Sequence, residues 1–267
     1  MDATPAAGTA RLASGAVLVL LPPSEGKAAP SAGAPADLSA LAHPELTPQR
    51  ERLLTAVERL GRGGRKNGLA RLGIGPGLAA ELERNATLRG APAAPAATVY
   101  TGVLYGRLDL ASLSPDARAR AQDRILIASA LWGVLRIEDR IPAYRLGIGA
   151  DLPRLGGLAA WWRPALRAAL PDAGLMVDCR SGAYAAAWRP ASGTLVEVRA
   201  FVEAGGRRTV VSHMAKATRG DVARVLVQAP DEPTDAEGVA ALAEAAGLRV
   251  ELGRAKGAWQ LDVLLAG

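Results

Sequence analysis

Residues 124–150 read RILIASALWGVLRIEDRIPAYRLGIGA, and the parsing of this stretch decides the fold class. Ile125 to Ala128 is a short apolar run that suits a buried strand. Trp132-Gly133 marks a tight turn or a close backbone approach, because glycine has no Cβ. Arg136-Ile137-Glu138-Asp139-Arg140 then presents charge of both signs. Ile141-Pro142 forces extended backbone before Tyr144-Arg145, since the proline ring disfavours helix at the preceding residue. A buried strand that ends in a glycine turn and displays Arg136, Asp139, Tyr144 and Arg145 is how an α/β protein builds a site at its strand ends. The plainer alternative is a strand-to-loop crossing with solvated charges.

Working outward, Val17-Leu18-Val19-Leu20-Leu21 is a continuous aliphatic run, the pattern of a strand covered on both faces. It ends at Pro22-Pro23-Ser24-Glu25-Gly26-Lys27, which puts a hydroxyl, a carboxylate and an ammonium where open α/β sheets hold ligands. The spacing of a P-loop is absent. Leu175 to Asp178 predicts another strand, running into the polar loop Cys179 to Tyr184. With no histidine partner in sequence, Cys179 reads as a buried structural thiol. Thr194 to Val202 and Arg208 to Ser212 alternate like a hairpin around Gly205-Gly206, and Leu248–Leu252 with Trp259–Leu265 predicts a closing pair of strands. Val99 to Gly106 is a β-prone run with a glycine break.

Between these runs lie helices. Thr47-Pro48 reads as an N-cap followed by proline at the first helical position, and Leu53, Leu54, Val57 and Leu60 recur at helical spacing. Ser114-Pro115-Asp116 starts a helix that leads to Ile125. Leu158 to Leu170 predicts a helix whose Trp161-Trp162 pair suits packing better than base stacking, given the area tryptophan buries. The late segment His213 to Gly220 reads as a cationic loop before a helix at Asp221–Gln228, with one more helix at Ala236–Ala246. Ala28–Ala36 and Ala91–Ala97 read as Pro/Ala-rich loops.

Lys66 to Leu82 carries a further signal. Gly73-Ile74-Gly75-Pro76-Gly77 separates two short apolar-periodic segments, which resembles the hairpin of helix-hairpin-helix DNA-binding elements. Glycines let backbone approach a phosphate, and N–H groups at the start of the second helix point at it. Lys66 and Arg71, with Arg65, add charge that pairs with the phosphate backbone but reads no bases. The competing reading is a glycine-rich turn between two helices.

Composition bounds these readings. Of 267 residues, 49% are hydrophobic and 22% charged, enough for a sizeable core. A net charge of +6 leans toward an anionic partner. One cysteine and two histidines leave neither a disulfide framework nor a multi-Cys or His-rich metal site, so no metal and no cofactor is expected. No stretch is long enough to span a bilayer. The expectation is a soluble, cytoplasmic protein, with residues 1–15 as a flexible extension.

Several of these segments recur as a set. PPSEGK after the first strand, VYTGVLY, ALWGVLR with DRIPAYRLGIG, DCRSGAYAAAW and HMAKATRG stand in an order that resembles the YaaA family of peroxide stress resistance proteins. The resemblance runs from Val17 to about Leu264. It implies a single mixed α/β domain over residues 16–267 with the family's cantaloupe-like fold, a helix-hairpin-helix element at about 64–84 and a basic cleft. It further implies binding of double-stranded or structured DNA, protection from hydrogen peroxide and an association with limiting free iron. The family hairpin falls on Leu72 to Gly77, giving Lys66, Arg71, Gly73, Ile74, Gly75 and Gly77 as DNA-binding candidates. A cleft lysine, in a Pro-Ala-Lys stretch in the family, has its nearest counterpart at Lys27, here within Ser-Glu-Gly-Lys.

Two functions remain open on this reading. One is a monomeric DNA-binding stress protein working through backbone contacts. The other is an enzyme on a nucleotide or nucleic-acid substrate, suggested by the mixed chemistry of Ser24, Glu25, Lys27, Arg136, Tyr144, Arg145, Tyr184, Lys216 and Arg219. In the second, Glu25 would act as general acid or base and Lys216 as electrophile.

Overall fold

The structure, a computed structural model, describes residues 17–204, 207–210, 212–255 and 257–266. The N-terminal extension and the Gly205-Gly206 turn lie outside the described residues.

Eight strands form one mixed sheet: β1 (Leu18–Leu21), β2 (Ile125–Ser129), β3 (Gly133–Leu135), β4 (Leu175–Asp178), β5 (Thr194–Ala204), β6 (Arg207–Val210), β7 (Val250–Ala255) and β8 (Ala258–Ala266). Their order is β7-β8-β5-β4-β1-β2-β3, with β6 paired to the far part of β5. Five strands are parallel, joined as β2-β1-β4-β5-β8, while β3, β6 and β7 add antiparallel edges. The continuous aliphatic run in β1 is explained by its place: it is central, flanked by β2 and β4, and all four of its residues are buried. Full burial of each such side chain is worth roughly 1.5–3 kcal/mol.

The chain leaves β1 toward β2, then returns to the other side of β1 for β4. That reversal opens a crevice at the C-terminal ends of β1 and β4, the place where open α/β sheets bind ligands.

Among the described residues, eight α-helices of at least six residues pack around the sheet: α1 (Thr47–Gly61), α2 (Arg65–Leu72), α3 (Ala79–Arg84), α4 (Val103–Leu108), α5 (Pro115–Arg124), α6 (Leu158–Ala169), α7 (Ser212–Gln228) and α8 (Ala236–Ala245). Ser114 caps α5, its side chain accepting from the Ala117 N–H. On α6, Trp162 is 1% exposed and donates from Nε1 to the Ala130 carbonyl at 2.9 Å, so it serves packing. Its ring lies against Gly133, where a Cβ would come within 2.8 Å of it.

Three local readings are corrected. The β-prone run Val99–Gly106 is not a strand: Gly102 sits at φ 96, breaking extended backbone, and Leu104, Tyr105 and Leu108 bury one face of α4 instead. The cationic segment before Asp221 is not a loop but the first part of α7, which starts at Ser212. Thr47 is not an N-cap, because a 3-10 turn at Pro44–Leu46 precedes it and its hydroxyl donates to the Leu38 carbonyl.

Candidate functional site

The crevice between β1 and β4 widens into a cleft of about 670 Å³. Its floor and rim come from the loop Pro22–Lys27 after β1 and from Ser181 and Tyr184 after β4. Thr101 to Tyr105, Arg145 to Ala150, the turn Leu72-Gly73-Ile74, and Lys216 and Arg219 of α7 close the walls.

The β1 loop is stitched in place rather than free. The Thr101 N–H donates to Ser24 Oγ at 3.0 Å and the Ala28 N–H to the Val99 carbonyl at 2.9 Å, while Lys27 and Tyr100 form an isolated antiparallel bridge. Tyr105 adds a hydroxyl donor to the Pro22 carbonyl at 2.8 Å. Opposite, the loop after β4 is fixed by the buried pair Asp178–Arg180, bonded twice at 2.9 and 2.8 Å. Cys179 beside it is fully buried, and desolvation pushes its thiol up to about 12, which keeps it inert at neutral pH.

Lys27 is the strongly perturbed cation of the cleft. Its Nζ donates to the Ser24 carbonyl at 2.7 Å and lies 4.3 Å from the Tyr144 ring centre and 5.5 Å from that of Tyr100. Burial, then the charge of Arg145, lower its pKa from the usual 10.5 to about 7, despite an opposing pull from Glu81 and Glu25. Beneath it the hydroxyls of Tyr100 and Tyr144 meet at 2.9 Å, and Tyr144 meets Ser129 Oγ at 2.7 Å. Burial raises both phenols well above their ordinary value, so they remain neutral.

Arg145 bridges two walls. Its guanidinium donates to the Glu25 carbonyl at 3.2 Å and to the Glu25 carboxylate at 3.3 Å. Its backbone is held by Asn85, a fully buried residue directly after α3, which accepts from the Arg145 N–H at 2.9 Å and donates to its carbonyl at 2.7 Å. The turn of α2 and α3 is therefore anchored to the cleft wall.

That turn has well-defined geometry. Gly73 ends α2 at φ 65, its N–H bonding the Ala70 carbonyl, and the Ile74 N–H reaches the Leu69 carbonyl at 3.0 Å. This is a Schellman closure, which needs a left-handed residue and explains the glycine. Gly68 lets α2 and α3 approach, since a Cβ there would meet Leu82 at 2.7 Å. Across the cleft, Gly220 plays a similar part: a Cβ would lie 2.3 Å from the Leu104 carbonyl, so its absence brings α7 against α4.

The sequence candidates thus divide. Ser24, Glu25, Lys27, Gly73, Ile74, Arg145, Tyr184, Lys216 and Arg219 come together on the cleft. Tyr144 lies under the floor, fully buried. Arg136 lies elsewhere: it donates to the carbonyls of Gln122, Asp123 and Ile125, at the opposite end of β2. Asp139 is also structural, accepting from the Ala42 and Arg136 N–H groups at 2.9 Å each. Lys66, Gly75 and Gly77 are exposed on the α2–α3 hairpin outside the cleft, and Arg71 pairs with Asp151 at 2.5 Å. Glu25 sits at the rim with its side chain 79% exposed, so its carboxylate has the surroundings of an Arg145 partner rather than of a desolvated acid. Tyr100, Tyr105 and Asn85 are contributors that sequence reading did not single out; only the VYTGVLY motif pointed to the two tyrosines. Among the described residues no cluster of three or more His, Cys, Asp or Glu could hold a metal. Among the same residues no helix is long and apolar enough to cross a membrane.

Residues 17–251 match the family model described as peroxide stress protein YaaA. This chain belongs to that family. A UPF0246 protein of Streptomyces coelicolor is 45% identical over 260 residues, covering 93% of this chain and 98% of its own length. A UPF0246 protein of Corynebacterium efficiens is 41% identical over 241 residues (88% and 95%), and one of Cereibacter sphaeroides 35% over 237 (82% and 90%). Family membership carries with it the association with peroxide stress.

Proposed function

We propose that this YaaA family member acts in peroxide stress by binding duplex or branched DNA through its sugar-phosphate backbone. The carrying observation is the charge of the cleft: Arg145, Lys216 and Arg219 face it, against the carboxylate of Glu25 alone among the described residues. Glycine backbone at Gly26, Gly73, Gly102, Gly147 and Gly149 also lines the walls and permits close approach of phosphate. The α2–α3 hairpin is the helix-hairpin-helix element of this reading, with its turn on the cleft wall and Lys66 on its outer surface. Arginine and lysine placed in this way read backbone charge and not bases.

A titration of labelled duplex and four-way junction at increasing salt tests the reading. Affinity is expected to fall steeply with salt and to vary little with sequence. Glu25→Gln, which removes the rim carboxylate and frees Arg145, is expected to bind as tightly as the parent or more so. Absence of binding at low salt, or affinity indifferent to salt, would overturn it.

A further inference from the structure

The cleft holds one group that electrostatic binding does not use. Lys27 is set at its base, anchored through the Ser24 carbonyl and backed by two tyrosine faces. Among the described residues no carboxylate lies within 4.0 Å of its amine, and the nearby Glu25 is taken up by Arg145. A lysine desolvated beside another cation, with no carboxylate in contact, is the arrangement that yields a neutral amine nucleophile for carbonyl carbons.

We propose that the Lys27 amine forms an imine with the ring-opened aldehyde of an abasic site in DNA, while Arg145, Lys216 and Arg219 hold the flanking phosphates. This rests on the DNA-binding reading of the same cleft. The Lys27 lone pair attacks the aldehyde carbon, and the carbonyl oxygen takes up a proton to give a carbinolamine. Nitrogen then expels that oxygen as water, with one proton from the amine and one from solvent, leaving a protonated C=N bond to Lys27. Overall, amine, aldehyde and one proton give iminium and water. The product is a cation above the Tyr144 and Tyr100 faces, which favour positive charge there. The lowered lysine pKa supplies free amine near neutral pH. Backbone-linked aldehyde suits the site better than a free phospho-aldehyde. The volume of about 670 Å³ and three further cations from two separate elements exceed what one small phosphate would engage.

The full-length chain is mixed with a duplex carrying one abasic site and reduced with borohydride, which converts an imine to a stable secondary amine. Parallel arms use intact duplex, a duplex with a tetrahydrofuran site lacking the aldehyde, and glyceraldehyde 3-phosphate. A covalent protein–DNA band with the abasic duplex alone, mapped by mass spectrometry to Lys27, is the expected result. Trapping should rise with pH to half its maximum near 7, and fall at least 100-fold in Lys27→Met while Arg254→Met, exposed on β7 and outside the cleft, traps as the parent does. Mapping on the parent protein keeps the test valid should Lys27→Met not fold. Adduct at another lysine, or with glyceraldehyde 3-phosphate but not abasic DNA, overturns the proposal. DNA affinity measured on the same samples separates the two ideas: normal binding without trapping sinks only the imine, and absent binding sinks both.

Discussion

At the scale of single residues, Lys27 makes a prediction independent of any ligand. Its pKa is about 7 in the folded chain and 10.5 as the ordinary value, so between those pH values the unfolded chain binds more protons. Stability then rises with pH through that window. The penalty for burying a charged lysine is complete below pH 7 and gone above about 10.5. At about 1.4 kcal/mol per pKa unit the penalty is on the order of a few kcal/mol. Lys27→Met is therefore expected to melt higher than the parent at pH 6, with the gap closing by pH 10; a gap that is constant with pH would show that Lys27 is charged throughout. The position of this lysine on the cleft was legible from its place after a buried strand. Arg136 was read with the same logic and went elsewhere, because a charge near a strand does not reveal at which end of that strand it will fold. The interaction that fixes Arg136, with three carbonyls at the start of β2, is a tertiary one that no local pattern encodes.

Among the elements, the hairpin of α2 and α3 depends on one buried amide. Asn85 bonds both the N–H and the carbonyl of Arg145, and its side chain has no exposure to replace them with water. Asn85→Ala leaves a buried donor and acceptor unpaired, a loss of roughly 1–3 kcal/mol for each group left so. Urea melts should register about that loss, and DNA affinity should drop with it, because the hairpin and Arg145 lose their common anchor. Destabilisation with unchanged affinity would detach the hairpin from the binding surface. The glycine signature of this hairpin was readable, since a Schellman closure demands a residue at positive φ. Asn85 was not, being a polar residue between two unremarkable helical segments. The same limit explains the VYTGVLY run. Its residues favour strand, but burial of Leu104, Tyr105 and Leu108 on one side decided for helix, a case of packing overriding propensity.

For the whole molecule, the sheet pairs segments that are far apart in sequence, Val19 with Ile125 on one side and with Val177 on the other. Each strand was visible as an apolar run, yet their order was not, because a parallel partner leaves no mark on its neighbour's sequence. That order brings the β1 loop, the segment before Ala150 and α7 around one cleft, and gathers Arg145, Lys216 and Arg219 on it. The net charge of +6 alone would predict diffuse attraction for DNA; the topology predicts a focused one. The two differ in how affinity responds to salt. Removing one cation that pairs with a phosphate should lower the slope of log affinity against log salt by about 0.9. Lys216→Met with Arg219→Met should therefore reduce the slope by about 2, both lying on the cleft face of α7. Arg254→Met, exposed on the edge strand β7 and absent from the cleft, carries the same change in net charge per residue and should leave the slope as it was. Isothermal or anisotropy titrations across a series of salt concentrations suffice. If Arg254→Met lowers the slope as much per charge as the α7 pair does, the attraction is spread over the surface and the cleft is not the DNA site.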